Sequence, residues 1–318
     1  MIGQMYQVKK VSRSEFVPIR NLSYHVRVWG EPAPGKVPLV MVHGWMDVAA
    51  SYQFVVDAFA QDHYIIAPDW RGYGQTPAGG VDNFWFPDYM ADLDFLLDHY
   101  APDAPVNLVG HSLGGNVVML YAGVRPGRIR RLVNLEGFGM PATRPEQAPG
   151  RYAKWMDELK SLHRGELDMR AYNDISGVAR RLMKTNPRLS QDKADWLAGQ
   201  WAQQDASGKW SIMGHAAHKV AGAHLYQVEE VLALYRRISM PVLAVEASDN
   251  SLDLWWKGKF TLAQYHERIQ SRAQRGNCAD RRRRPHDAPR PAAGSGTPDR
   301  TVYPARLKGL VPPAGAFT

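Results

Sequence analysis

A chain of 318 residues, 45% hydrophobic and 22% charged, is long enough to bury a sizeable core without disulfides or metal staples. Its single cysteine, Cys278, excludes a disulfide framework and any multi-cysteine zinc site. The net charge of +8 is uneven: residues 271–318 hold ten basic side chains against three acidic, and the rest of the chain nets +1, so only the tail sets up a field for phosphates.

From about residue 20 to 270 the chain alternates apolar strands with amphipathic helices, the pattern of an α/β fold with a mostly parallel sheet and helices on both faces. In chain order, extended segments are expected at 24–30 (YHVRVWG), 38–44 (PLVMVHG), 63–70 (HYIIAPDW), 106–112 (VNLVGHS), 131–137 (RLVNLEG) and 241–249 (PVLAVEASD). Most are short continuous apolar runs, as strands buried on both faces require. Helices are expected near 49–60, 86–100, 114–124 and 227–238.

Between Gly137 and Met240 no strong strand signal occurs, whereas RYAKWMDELK (151–160), GVARRLMK (177–184) and DKADWLAGQWAQQ (192–204) read as helices. A structureless loop of a hundred residues is improbable inside a domain, so a helical cap is the expectation. After Gln270 the texture changes: Arg, Pro, Ala and Gly fill 29 of the last 48 positions, a composition that does not offset its conformational entropy by burial. The expected division is a core at 1–137, a cap at 138–236, more core at 237–270, and a disordered Arg/Pro-rich tail at 271–318.

The strongest motif is Gly110-His111-Ser112-Leu113-Gly114, extended by Gly115, between the apolar strand 106–109 and a helix beginning NVVMLYAG. A sharp strand–turn–helix of this kind holds a serine in a strained conformation with its hydroxyl exposed, a nucleophile elbow. Side chains at positions 110 and 114 would collide across the turn, and the helix N-terminus favours developing negative charge. A carbonyl under attack becomes an oxyanion that needs two preorganised N–H donors. The amide of Leu113 is one candidate; the other is the amide of Trp45 in His43-Gly44-Trp45, at the end of 38–42. His43 reads as a residue that orients this loop. Asp69-Trp70-Arg71-Gly72-Tyr73-Gly74 reads as a tight structural turn near the site.

HGW, DWRGYG and GHSLGG in this order, with an inserted helical cap, resemble the α/β-hydrolase superfamily over residues 20 to 270. The resemblance implies an eight-stranded, mostly parallel sheet and a triad in the chain order serine, acid, histidine. The implied acid follows the strand after the cap, where Asp249 stands. Glu136, after the preceding strand, is the alternative; Glu246 and Asp253 are less well placed. The histidine would lie beyond a final strand, yet past Asp249 the chain has only His266, in a helix-like stretch where a solvated or packing role is expected, and His286, within the tail.

Codon arithmetic offers a reason. Read forward by one nucleotide, with suitable third bases, Asp280 to Arg300 permit IDDAGHMMHHDQPQALARLIE, and Ser271 to Ala279 permit AVPNAAIVR. That is a strand, a Gly-His loop and an amphipathic final helix, with the histidine hidden across the codons of Pro285 and His286. The expectation is therefore a frameshifted tail, with the last strand and helix of the fold missing and the catalytic histidine lost.

The expected function is serine hydrolysis of a carboxylic ester or related acyl substrate through an acyl-enzyme, impaired in this chain. The Trp, Met and Tyr side chains of the cap suggest an apolar or aromatic substrate. Neither metal nor organic cofactor is implied, and neither nucleic acid nor membrane is expected as partner. No apolar run approaches the roughly 20 residues that cross a bilayer, and MIGQMYQVKKVSRSEF lacks the apolar stretch of a secretory leader. A cytoplasmic protein is expected. The rival expectations are carbon–carbon bond hydrolysis or perhydrolysis on the same fold, and a non-catalytic binding protein.

Overall fold

The computed structural model describes residues 5–247 and 252–272, the side chains at 253 and 254 excepted. Seven strands form one sheet: β1 (Arg13–Ile19), β2 (Leu22–Trp29), β3 (Leu39–Val42), β4 (Ile65–Pro68), β5 (Val106–His111), β6 (Ile129–Leu135) and, after a helical stretch of about a hundred residues, β9 (Val242–Val245). Their spatial order is β1-β2-β4-β3-β5-β6-β9. β1 and β2 form an antiparallel flank, and from β4 to β9 every neighbour is parallel. The mostly parallel α/β fold is the one expected.

Two apolar layers sandwich this sheet. On one face Val40, Ile66, Leu108, Leu132 and Ala244 pack in the same cluster as Leu93, Leu96, Leu97, Val117, Val118, Val231, Tyr235 and Ile269, which come from α2 (Phe86–Tyr100), α3 (Leu113–Val124), α7 (Val228–Tyr235) and α9 (Leu262–Gln270). On the other, Met41, Ile65, Val109, Leu135 and Val245 cluster with Ala49, Tyr52 and Val56, from a 3₁₀ turn at Ala49–Tyr52 and the short α1 (Gln53–Val56). The helix expected over 49–60 is thus a 3₁₀ turn and a single α-turn. α2 buries Tyr89, Asp92, Leu93, Leu96 and Leu97, one face at helical spacing. Each fully buried leucine there contributes about 1.5–3 kcal/mol.

Between β6 and β9 lie α4 (Ala148–His163), α5 (Ile175–Thr185) and α6 (Gln191–Trp201), then a hairpin of β7 (Ala202–Gln204) and β8 (Trp210–Ile212). This hairpin replaces the last turn of the helix expected over 192–204. Its strands are three residues long and turn at Gly208, whose φ is +82°. α8 (Leu252–Trp256) follows β9. Among the described residues no strand pairs with the outer edge of β9, and no helix is long and apolar enough to cross a membrane. The tail at 271–318 lies outside the described residues beyond position 272.

Candidate active site

Strands β3, β5 and β6 end together, so the loops that follow them share the C-terminal edge of the sheet, where ligands of open α/β sheets bind. Ser112 leaves β5 with φ 51° and ψ −111°, a backbone that L-residues adopt only at a cost of order 1–3 kcal/mol. Two hydrogen bonds hold it there: its amide donates to the Leu135 carbonyl at 2.8 Å, and its own carbonyl accepts from the Asn116 amide at 2.9 Å. The turn closes only because its flanks are bare. A Cβ at Gly110 would lie 2.4 Å from the Gly114 carbonyl oxygen, and one at Gly114 would lie 2.4 Å from that of Val42.

The His43–Trp45 loop passes directly over this corner. A Cβ at Gly44 would come within 3.2 Å of Ser112 Cβ and 3.1 Å of His111 Nδ1. His43 is fully used in holding the loop: its Nε2 accepts from the Trp70 amide at 2.9 Å, so its Nδ1–H donates to the Gly44 carbonyl at 2.8 Å. The Trp70 indole returns a bond to the His43 carbonyl at 3.0 Å. Ser112 and Leu113 are both half-buried, which leaves the hydroxyl reachable. Leu113 is the first residue of α3, where an amide has no acceptor within its own helix.

His111, beside the serine, is buried, and its Nδ1 has no hydrogen-bond partner. Burial, with His43 nearby, pushes its pKa down to about 4, so the ring is neutral. Glu136 is the first residue after β6 and also takes a positive φ, 54°. Its carboxylate accepts from the Ala247 amide at 3.0 Å. Asp249 lies outside the described residues, as do His286 and the side chain of Asp253. Glu246 lies 2.9 Å from His266 through Oε2 and Nε2, on the helix where sequence pointed to a solvated or packing histidine. Among the described residues no side chain accepts a hydrogen bond from the Ser112 hydroxyl.

The Asp69–Gly74 turn is hydrogen-bonded to the segment between β6 and β9. The Gly74 amide donates to the Met213 carbonyl and the His215 amide to the Gly72 carbonyl, both at 2.8 Å. The His218 ring then stacks between Tyr73 and Phe84, each with centroids 3.7 Å away. Burial holds its pKa well below the ordinary value, so a neutral ring fills the slot. The Trp45 indole donates to the His218 carbonyl at 3.1 Å and meets the Trp255 ring edge-on at 6.1 Å. No spacing in the sequence announces His218 or Trp255, since both act through segments far apart in the chain. Among the described residues no group of three or more His, Cys, Asp or Glu gathers to hold a metal.

Residues 37–272 match the family model of the alpha/beta hydrolase fold. The chain belongs to the α/β-hydrolase family. Among curated relatives of this α/β-hydrolase, a serine hydrolase-like protein of Danio rerio is 26% identical over 183 residues, 54% of this chain and 52% of its own. A cis-3-alkyl-4-alkyloxetan-2-one decarboxylase of Shewanella oneidensis is 33% identical over 146 residues, 45% of this chain and 44% of its own. The chain spans about half the length of these curated relatives. A solved hypothetical protein from Pseudomonas aeruginosa PAO1 shares the fold with a TM-score of 0.70 at 20% identity, over 81% of this chain and 87% of that one.

Proposed function

We propose that this α/β-hydrolase is built as a serine hydrolase for carboxylic esters or related acyl substrates, with Ser112 as nucleophile. The observation that carries the reading is the strained, half-buried Ser112 at φ 51° under a loop so close that a side chain at Gly44 would crowd its Cβ. Its oxygen attacks the carbonyl carbon while a histidine takes the hydroxyl proton. The Leu113 and Trp45 amides receive the oxyanion, the alcohol leaves, and water releases the acyl group.

Asp249 is the proposed acid. Glu136, the alternative, already accepts from the Ala247 amide, just beyond β9. The histidine is the one hidden across the codons of Pro285 and His286, so the 318-residue chain is a weakened enzyme. Aromatic side chains beside the nucleophile loop, Trp45 and Trp255, favour an apolar or aromatic acyl group. A fluorophosphonate probe tests the reading in a chain whose frame is restored after Gln270. Rapid labelling on the tryptic peptide spanning residues 72–128, lost in Ser112→Ala, is expected; a restored chain that leaves this peptide unmodified overturns it.

A further inference from the structure

A second serine of this chain already stands in a complete hydrogen-bonded relay. Ser14 Oγ lies 3.0 Å from His25 Nε2, and His25 Nδ1 lies 2.7 Å from Asp69 Oδ2. The Asp69 carboxylate has only accepting lone pairs, so Nδ1 carries a proton; in the neutral ring Nε2 then accepts from the Ser14 hydroxyl. This is the order of groups that activates a serine: hydroxyl, imidazole, carboxylate. It forms from the β1–β2 flank and the turn after β4, apart from the elbow after β5.

The parts differ in exposure as a reactive site requires. Ser14 is exposed on the edge strand, whereas His25 and Asp69 are 1% and 3% exposed. The carboxylate is fixed by two further donors, the Ala49 amide at 2.7 Å and the Gln75 amide at 3.0 Å. Burial alone would push Asp69 up, yet the His25 bond and the Ala49 amide hold it below the ordinary carboxylate value. The imidazole is held as well: Phe16, its ladder partner, packs 5.2 Å away, and the His25 amide donates to Thr76 Oγ1 at 3.0 Å. Directly opposite Ser14 in the ladder is Arg27, whose guanidinium is tied to Ser12 and Gln200. Paired residues share a sheet face, so a fixed positive charge sits beside the hydroxyl.

We propose that Ser14 is a second reactive serine, with His25 as its general base and Asp69 as positioning residue, open to small activated acyl and phosphoryl esters. With a fluorophosphonate, Oγ forms a bond to phosphorus as the phosphorus–fluorine bond breaks. Fluoride leaves with the electron pair and the hydroxyl proton passes to His25 Nε2. With a p-nitrophenyl ester, Oγ adds to the carbonyl carbon and p-nitrophenolate departs. The relay lies wholly within the described residues and is independent of the tail.

The test is diisopropyl fluorophosphate on the 318-residue chain, read by tryptic peptide mass. Cleavage after Arg13 and Arg20 gives SEFVPIR, in which Ser14 is the only hydroxyl side chain. A single phosphoryl adduct on this peptide is expected. It should persist in Ser112→Ala, vanish in Ser14→Ala, and form at least about a hundredfold more slowly in His25→Gln, the usual worth of a positioned general base. Labelling in denaturing urea, where the relay is dismantled, should fall as far and needs no folded variant. An unmodified SEFVPIR, or a rate unchanged by urea, overturns the proposal. A Ser112 adduct appears on the separate 72–128 peptide, so failure at one serine is told apart from failure at the other.

Discussion

Ser112 and Glu136 leave neighbouring strands with positive φ, 51° and 54°. The Ser112 amide donates to the carbonyl of Leu135, the residue just before Glu136. The Glu136 amide repeats the step, donating to Val245 at 3.0 Å. Three parallel strands are thereby stitched in a staircase at the edge that carries the candidate chemistry. Neither residue is a glycine, so the surrounding structure has to hold each φ in place.

Glycine visits positive φ without the Cβ penalty. Ser112→Gly is therefore expected to raise stability by about 1 kcal/mol, or about 2–4 °C in Tm for a domain of this size, while Ser112→Ala gives no such gain. Thermal unfolding of the two variants beside the parent checks this. A gain confined to glycine locates the stored strain in the backbone of the elbow, apart from any effect of losing the hydroxyl.

Arg71 and Asp92 form a buried bidentate pair, Nε to Oδ2 at 2.6 Å and Nη2 to Oδ1 at 2.7 Å, with the Asp92 side chain 0% exposed. Removing one partner of such a pair strands a buried charge and costs about 3–5 kcal/mol. Asp92→Asn should lower the urea midpoint accordingly. Because Arg71 lies in the turn that hydrogen-bonds Met213 and His215, the loss should also appear as faster proteolysis within 138–236.

Strands β2, β3, β4, β5, β6 and β9 were legible because apolar runs bounded by glycine and proline betray strands buried on two faces. The elbow was legible because Gly110, Ser112 and Gly114 answer to one local geometry. β1 was not read: only Val17 and Ile19 of its seven residues are buried, so its period carries little signal. The relay from Ser14 through His25 to Asp69, and the stacking of His218 on Tyr73 and Phe84, join residues far apart in sequence. No spacing rule reaches them. The acid Asp249 lies outside the described residues, and its assignment still rests on the family resemblance.

Acid should weaken the fold through His111. Its folded pKa is about 4 against an ordinary 6.5, so between those values the unfolded chain binds the proton first and stability falls with pH. Above 6.5 the contribution is fully present; below 4 it is fully lost. The shift is worth roughly 3 kcal/mol. His218, held low by the same burial, adds in the same sense. Chemical denaturation of the parent and of His111→Phe from pH 7 to 4 isolates the term: the variant, which keeps a ring in the slot, should show the shallower loss.

Restoring the reading frame after Gln270 should change both chemistry and folding. In the proposed frame the tail would supply a strand for the edge of β9 on which no described strand pairs, an AGH loop, and a helix for the sheet face where Leu39, Val133 and Leu243 are only half-buried. A serine hydroxyl without its base is a poor nucleophile, and a positioned histidine is worth about 10²–10⁴ in rate. Hydrolysis of p-nitrophenyl butyrate should rise by at least about a hundredfold over the 318-residue chain. The gain should vanish in Ser112→Ala and survive Ser14→Ala. Covering a half-buried apolar sheet face and a strand edge removes two templates for aggregation, so soluble yield should rise in parallel. A restored chain that gains solubility without hydrolysis would mean that the tail completes the fold and that the base lies elsewhere.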